Sequence, residues 1–557
     1  MIGRCIAALA IGLFATTASA QDGAPSRPNI LLLVAEDLSP RIGAFGDAVA
    51  RTPHLDALAE EGVRFTRVFT TAGVCAPSRA ALVTGRHAIT FGAQHMRTST
   101  RPAGGYTAVP PPDLVAFPER LRAAGYYTYT DEKLDYQFSG VLAGSGPFTM
   151  WDAEGRGTHW RDRTGDRPFF GLVNFQITHE SGVFTPLGHW PNSGVHLAMQ
   201  ALRAFLFGLD VGEGPIRPED VVLPPYYPDT PTVRRDVARH YNNVWQMDAQ
   251  VGELLAQLEA DGLADDTIVI WTTDHGDGLP RAKRELYDAG IHVPMIVRWP
   301  TRLRPEDATP GRTDGRLVSF VDLAPTILGM AGADAPATLP GRSFADPNAR
   351  RREYVFASRD RIDEVMDRQR AVRDERYKYV RSYYPTVPGG HPLDFRDNID
   401  MVREMRALYE AGELDAAQRQ WFEPPGAERL FDLENDPHEL VDLSRDPTHA
   451  AVLARLGGAL DAWLSSIVDT SEEPEDRMAE RFWPGGEQPV TSAPILEVED
   501  DMLRATGGAG ARVGFRLDDG PWQLYTGPVP VPPGARIEAR AVRYGWQESP
   551  TVSLATP

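Results

Sequence analysis

The 557-residue chain has only two cysteines, Cys5 and Cys75, so no disulfide framework holds it together. A chain of this length buries a sizeable core without disulfides or structural zinc. Basic residues are in deficit: 57 Lys and Arg stand against 77 Asp and Glu, a formal charge of −20. Such a balance excludes a nucleic-acid binder, because phosphate backbones reward clustered Lys and Arg, yet it leaves room for one anionic group held locally. Past the N-terminus no run is long and apolar enough to span a bilayer. Internal repeats and low-complexity tracts are missing as well. What remains, 42% hydrophobic and 24% charged, is an ordinary globular composition. Its length corresponds to roughly three to four domain equivalents.

Met1 and Arg4 lead into the apolar run Cys5–Phe14, and Ala18-Ser19-Ala20 precedes Gln21. This is the layout of a secretory signal with an A-x-A cleavage site, so residues 1–20 are expected to be removed and the protein exported, periplasmic or secreted. Cys5 leaves with the signal. Cys75 then has no internal partner, and the bland expectation for it is a small buried hydrophobe.

Pro28–Ala35 is a continuous apolar run with acids directly after it, the pattern of a buried parallel strand. Strand patterns recur at Arg64–Thr70, Tyr126–Thr130, Phe169–Ile177, Thr267–Thr273 and Pro294–Trp299; helical ones occur at His54–Glu61, Pro118–Ala124, Asn242–Leu258 and Asp322–Met330. The alternation predicts an α/β fold, a mostly parallel sheet sandwiched by helices over residues 21–345, with ligands beyond the carboxyl ends of the strands. Ala371–Ser382, Glu428–Leu433 and a helix at His449–Ile467 suit a smaller α+β subdomain over 346–468. Residues 469–493, rich in Glu, Pro, Gly and Ser, read as a linker, and 494–557 as a small all-β accessory module.

The sharpest motif is Cys75-Ala76-Pro77-Ser78-Arg79, continuing to Thr84-Gly85-Arg86. Pro77 suits a first helical turn, which places Cys75 at a helix N-terminus where free N–H groups and the dipole favour an anion. Arg79, about one turn on, can point at the same spot.

This Cys-x-Pro-Ser-Arg run resembles the sulfatase family, and more motifs follow in the expected order: Val321–Thr326, Gly341–Phe344 and Leu430–Pro437. The segments around Lys133 and His95 look more like glycan sulfatases, including the heparan N-sulfatase-like group. The resemblance implies that a formylglycine-generating or sulfatase-maturating enzyme oxidises Cys75 to formylglycine (3-oxoalanine). The hydrated aldehyde then attacks sulfur, the alcohol or amine leaves, and the second hydroxyl expels sulfate. It also implies one divalent cation, Ca2+, on Glu36, Asp37, Asp274, His275 and residue 75. Glu36 stands where Asp is usual and His275 where Asn is common; the imidazole keeps Mg2+ and Mn2+ as alternatives. By the same resemblance Arg79, Lys133, His179 and Lys283 bind and polarise sulfate, with Arg284 competing for the role of Lys283. A histidine near its ordinary pKa of about 6.5 suits His179 as a proton donor. Asp135 replaces a usual histidine, leaving open which group is the elimination base. His95, Arg97, Asp135, Arg284 and Arg361 are the substrate-subsite candidates, alongside Asp360, Asp363 and Glu364. The implied activity is that of a sulfuric ester hydrolase acting on sulfate esters or sulfamates of a sulfated glycan. A formylglycine-dependent phosphonate or phosphodiester hydrolase and a silent glycan-binding homologue stay open as alternatives.

Overall fold

The computed structural model describes residues 27–207 and 214–556; the expected signal segment, residues 1–20, and Cys5 lie outside the described residues. A nine-stranded mixed sheet forms the centre. Its strands are β1 (Asn29–Ala35), β2 (Val63–Phe69), β3 (Tyr127–Thr130), β4 (Ala153–Glu154), β5 (Phe169–Phe175), β6 (Thr267–Thr273), β7 (His292–Arg298), β8 (Thr313–Asp314) and β9 (Val318–Ser319). The order is β4-β3-β5-β1-β6-β7-β2-β8, with β9 beside β2. Only β7 runs antiparallel to its neighbours.

β1 shows why the run at Pro28–Ala35 reads as continuous. Ile30, Leu32 and Val34 enter the core on one face, and Leu31, Leu33 and Ala35 enter the core on the other. A strand covered on both faces has no use for polar alternation. The cover is helical: α1 (Pro53–Glu61) packs Leu55 and Leu58 on one side, α2 (Cys75–Thr84) packs Leu82 and Val83 on the other, and α3 (Phe117–Ala123) adds Leu121 to the second. Register then decides where chemistry gathers. Ala35 pairs with both Phe175 and Thr273, so the residues after β1, β5 and β6 emerge together on one rim. β3, beside β5, runs the same way.

The subdomain after residue 346 carries a four-stranded antiparallel sheet of Val355–Arg359, Gln369–Arg373, Tyr377–Ser382 and Glu428–Asp432. Ala371–Ser382, expected as one strand, is thus the larger part of a hairpin that turns between Arg373 and Tyr377. The helix Ala450–Ser466 covers the sheet through Leu456 and Leu460. The C-terminal module is two small antiparallel sheets around Leu503, Phe515 and Ile537.

The expected linker over 469–493 needs correction. It contains the helix Glu475–Phe482, whose Met478 and Phe482 sit in the main core and whose Glu475 receives Arg361 and Tyr106. Its composition looks like a tether, but Met478, Ala479 and Phe482 form one apolar helical face, which must be buried. The same module side is anchored by Tyr544, whose hydroxyl donates to Glu119 Oε2 at 2.8 Å and whose ring stacks on Phe138.

Candidate active site

Six chain segments deliver side chains to one rim. After β1 come Glu36 and Asp37; after β6, Asp274 and His275; after β5, His179; after β3, Lys133. α2 starts at Cys75, which is fully buried at its first turn. The segment bearing Lys283 and Arg284 is pressed against the Asp274 loop: Gly276 N–H donates to Gly290 carbonyl at 2.9 Å, and a Cβ on Gly276 would stand 1.9 Å from Ala289 carbonyl. Only glycine permits that approach. Four non-glycine residues around the rim, Asp37, Arg97, Asp135 and Arg284, hold positive φ (52°, 55°, 56° and 75°). Such backbone persists where surrounding contacts over-determine it.

Cys75 Sγ lies 3.3 Å from His275 Nε2 and 3.9 Å from Asp37 Oδ1. The donor atoms of Asp37, Cys75, Asp274 and His275 all lie within 4.8 Å of one another, and a second set joins Glu36, Asp37, Cys75 and His179. Two details test whether this set suits a divalent cation. His275 Nδ1 bonds the Gly276 carbonyl at 3.0 Å, so Nδ1 carries the proton and Nε2 is the ring's ligand atom. Burial alone would favour the neutral ring, but the Asp274 and Asp37 carboxylates outweigh it and raise His275 to about 10. A field able to hold a buried imidazole protonated is one a cation would neutralise. The donor set fits.

Cations surround this acidic centre. Lys283 Nζ sits 2.6 Å from Asp37 Oδ2 and 3.1 Å from Glu180. Lys133 Nζ is 2.6 Å from Glu36 Oε2. Arg79 Nε reaches Asp274 at 3.0 Å, and its Nη1 reaches Asn174 Oδ1 at 2.7 Å. Burial opposes the Asp37 charge, yet Lys283 and His275 hold that carboxyl well below the usual range. Burial likewise raises Glu36, with Lys133 and Arg79 opposing.

A cavity of about 750 Å³ opens over this floor. Lys133, His179, Lys283, Arg284 and Arg97 face it, and Val195, Met199 and Leu202 of α4 (Gly194–Phe207) wall one side. The subsite candidates divide. Arg97 lines the cavity and holds Asp135 by two bonds of 2.8 and 3.1 Å. Arg284 also lines it, but is committed to Glu180 at 2.8 and 2.9 Å and to Asp363 at 3.2 Å, turned from the position Lys283 occupies beside Asp37. Asp135, Asp360, Arg361 and His95 do not line the cavity. Arg361 points into the ion pair with Glu475, and His95 is buried beside it with no hydrogen-bond partner on either ring nitrogen. The expectation of an ordinary His179 is also corrected: burial, then Lys283 and Lys133, depress its pKa well below 6.5, so it is a neutral ring. Sequence reasoning missed Glu180, which bridges Lys283 and Arg284, and Asn174, which anchors Arg79. Glu180 adjoins His179 in the chain, a signal available but unused.

Comparisons with known proteins place the fold and the family. A family model described as Sulfatase matches residues 28–153 and 160–333, and one described as N-sulphoglucosamine sulphohydrolase, C-terminal, matches 281–423. An ulvan-active sulfatase of Formosa agariphila is 38% identical over 562 residues, covering 96% of this chain and 92% of that protein. The N-sulphoglucosamine sulphohydrolase of Homo sapiens is 27% identical, covering 79% and 90%. A solved 2-O GAG sulfatase shares the fold with a TM-score of 0.56 at 20% identity, covering 81% of this chain and 96% of that one. The chain belongs to the sulfatase family of sulfuric ester hydrolases.

Proposed function

We propose that this chain is an exported sulfatase that removes sulfate, as ester or sulfamate, from a sulfated polysaccharide or its oligosaccharides, using formylglycine made from Cys75. The observation that carries this reading is the buried cluster of Cys75 with Asp37, Asp274 and His275, ion-paired to Arg79 and Lys283 beside a cavity lined by Glu36, Lys133, His179 and Lys283. The glycan follows from the relatives, one ulvan-active and one acting on N-sulphoglucosamine. Export follows from the signal layout of residues 1–20.

Formylglycine at position 75 would supply an oxygen nucleophile, and a divalent cation held by Asp37, Asp274 and His275, with Glu36 beside them, would withdraw charge from sulfate. The chain's own residues do the rest. Lys133 and Arg79, held by Glu36, Asp274 and Asn174, orient two sulfate oxygens from the β3 and α2 sides. Lys283, fixed between Asp37 and Glu180, offsets negative charge growing on sulfate and leaving oxygen. His179 donates a hydrogen bond to the leaving oxygen as a neutral ring. Asp135, ionised against Arg97, is the carboxylate standing where the family usually has a histidine.

The test is sulfate release from defined sulfated oligosaccharides, with Cys75→Ala as the blank and a matched phosphate ester as competitor. Release from at least one glycan above the blank supports the reading. A strong preference for the phosphate ester overturns it in favour of a phosphoester hydrolase.

A further inference from the structure

Helix α4 is amphipathic the wrong way round. Among its described side chains the fully buried ones are polar, His196, Gln200 and Arg203, spaced as one helical stripe, while Val195, Leu197, Leu202 and Phe205 are exposed. Hydrogen bonds therefore seat this helix on the segment after His179. Gln200 Nε2 donates to the carbonyls of Thr185 at 2.8 Å and Pro186 at 3.0 Å, and His196 Nε2 bonds Thr185 carbonyl at 3.0 Å. Arg203 completes the stripe. Its Nη2 donates to Ile177 carbonyl at 2.8 Å and its Nη1 to Ser181 Oγ at 3.2 Å. Burial pushes this guanidinium down to about 10, so keeping it inside opposes folding.

The next link reaches the site. Ser181 Oγ lies 2.9 Å from His179 Nδ1, and Ser181 N–H points at the same nitrogen from 3.3 Å. The direction of this chain is set by chemistry. A guanidinium and a backbone N–H only donate, so Ser181 oxygen accepts from Arg203 and its hydroxyl proton turns to Nδ1. Nδ1 is then an acceptor twice over, and the ring proton sits on Nε2.

We infer that Ser181 and Arg203 are positioning residues: they hold His179 as the Nε2–H tautomer and tie its orientation to α4, whose Val195, Met199 and Leu202 wall the cavity. A neutral histidine can donate to a leaving oxygen only from the nitrogen that carries hydrogen. The opposite tautomer would present a lone pair there and repel it. Substrate contact along α4 thus bears on the donor through one hydrogen-bonded chain. The inference deepens the sulfatase reading above and rests on it for its kinetic arm.

The experiment has two arms on the full-length protein. In the first, 15N NMR of histidine-labelled protein, with His179→Ala assigning the resonance, reads the tautomer without turnover. The expected result is an unprotonated Nδ1 and protonated Nε2, with Ser181→Ala giving a mixture and Ser181→Thr restoring the wild-type pattern. In the second, Ser181→Ala and Arg203→Met lower kcat by about 10- to 100-fold on a sulfate ester with a poor leaving group while KM stays within about threefold. Ser181→Ala has no further effect in a His179→Ala background. Melting curves screen out variants that fail to fold. A protonated Nδ1 in the wild type, or additive losses for Ser181→Ala and His179→Ala, overturns the inference. If no sulfate ester is turned over at all, the sulfatase reading fails by itself, and the NMR arm still decides the tautomer.

Discussion

The Lys283 ammonium lies 2.6 Å from Asp37 Oδ2, joining a carboxylate at the end of β1 to a lysine nearly 250 residues later. Both groups are buried, and each helps to keep the other ionised. Lys283→Ala leaves Asp37 without this partner and removes the charge proposed to face the leaving oxygen. The expected loss in kcat is about 10²- to 10³-fold. Lys283→Arg is not expected to rescue it, because a planar fork replaces a point charge in a fully packed site. Steady-state kinetics on one sulfate ester decides; a loss confined to KM contradicts the charge-offset role.

Cys75 makes no disulfide. Produced in a host with a formylglycine-generating or sulfatase-maturating enzyme, the peptide spanning residue 75 is expected to carry an aldehyde that reacts with a hydrazide probe. Cys75→Ala neither reacts nor hydrolyses. Intact thiol in a fully active preparation would sink the formylglycine mechanism.

Asp277 laces together the two loops that bear the candidate cation donors. It accepts from Ser39 N–H at 2.9 Å, receives Arg41 and His240, and its own N–H donates to Ser39 Oγ at 3.0 Å. Asp277→Asn is expected to weaken divalent-cation affinity by about 10- to 100-fold, as removal of a partner behind metal ligands does elsewhere. Cation titration followed by thermal shift reads this directly. An unchanged affinity with lowered stability would make Asp277 a purely structural residue.

Asp131 accepts two bonds from Asn174, the residue that anchors Arg79. Burial outweighs those bonds and lifts its pKa to about 7 from a model-compound 3.8. Because the folded value lies above the unfolded one, the native state holds the extra proton between these two pH values. Its contribution to stability is therefore present at low pH and lost as pH rises from about 4 to about 7. Asp131→Asn, which keeps an acceptor and cannot ionise, should flatten that part of the stability profile. Denaturant unfolding at pH 5 and pH 8 measures it; parallel losses in both proteins refute the assignment.

Phe482 fills the main core from the segment that composition suggests is a tether. Phe482→Ala is expected to cost about 3 to 5 kcal/mol, the range for a buried aromatic truncated in a packed interior. Chemical denaturation checks this, and a cost below about 1 kcal/mol would restore the tether reading.

Much of the architecture was legible in the chain. β1 and β6 are apolar runs bounded by acids, because a strand buried on both faces excludes polar residues until it leaves the sheet. Cys75 at a helix start and Lys133 after β3 followed from local patterns and family motifs. Contacts made across the fold were not legible. Arg361 and His95 look like surface subsite residues from their neighbours in sequence, yet Glu475, more than a hundred residues further on, draws Arg361 inward. His179 reads as an ordinary histidine until Lys283 and burial depress it. Ser181 and Arg203 carry no motif at all.

The sequence by itself determined the residue types of the site and their order at strand ends, since strand termini, glycine turns and helix starts are local properties. The tertiary structure alone decided which charges meet, because ion pairs and pKa values depend on distances of a few ångströms between segments remote in sequence. Cys75 is the clearest case. Local sequence placed Cys75 at a helix N-terminus, but only the register of β1 with β6 set Asp37 and His275 against its sulfur.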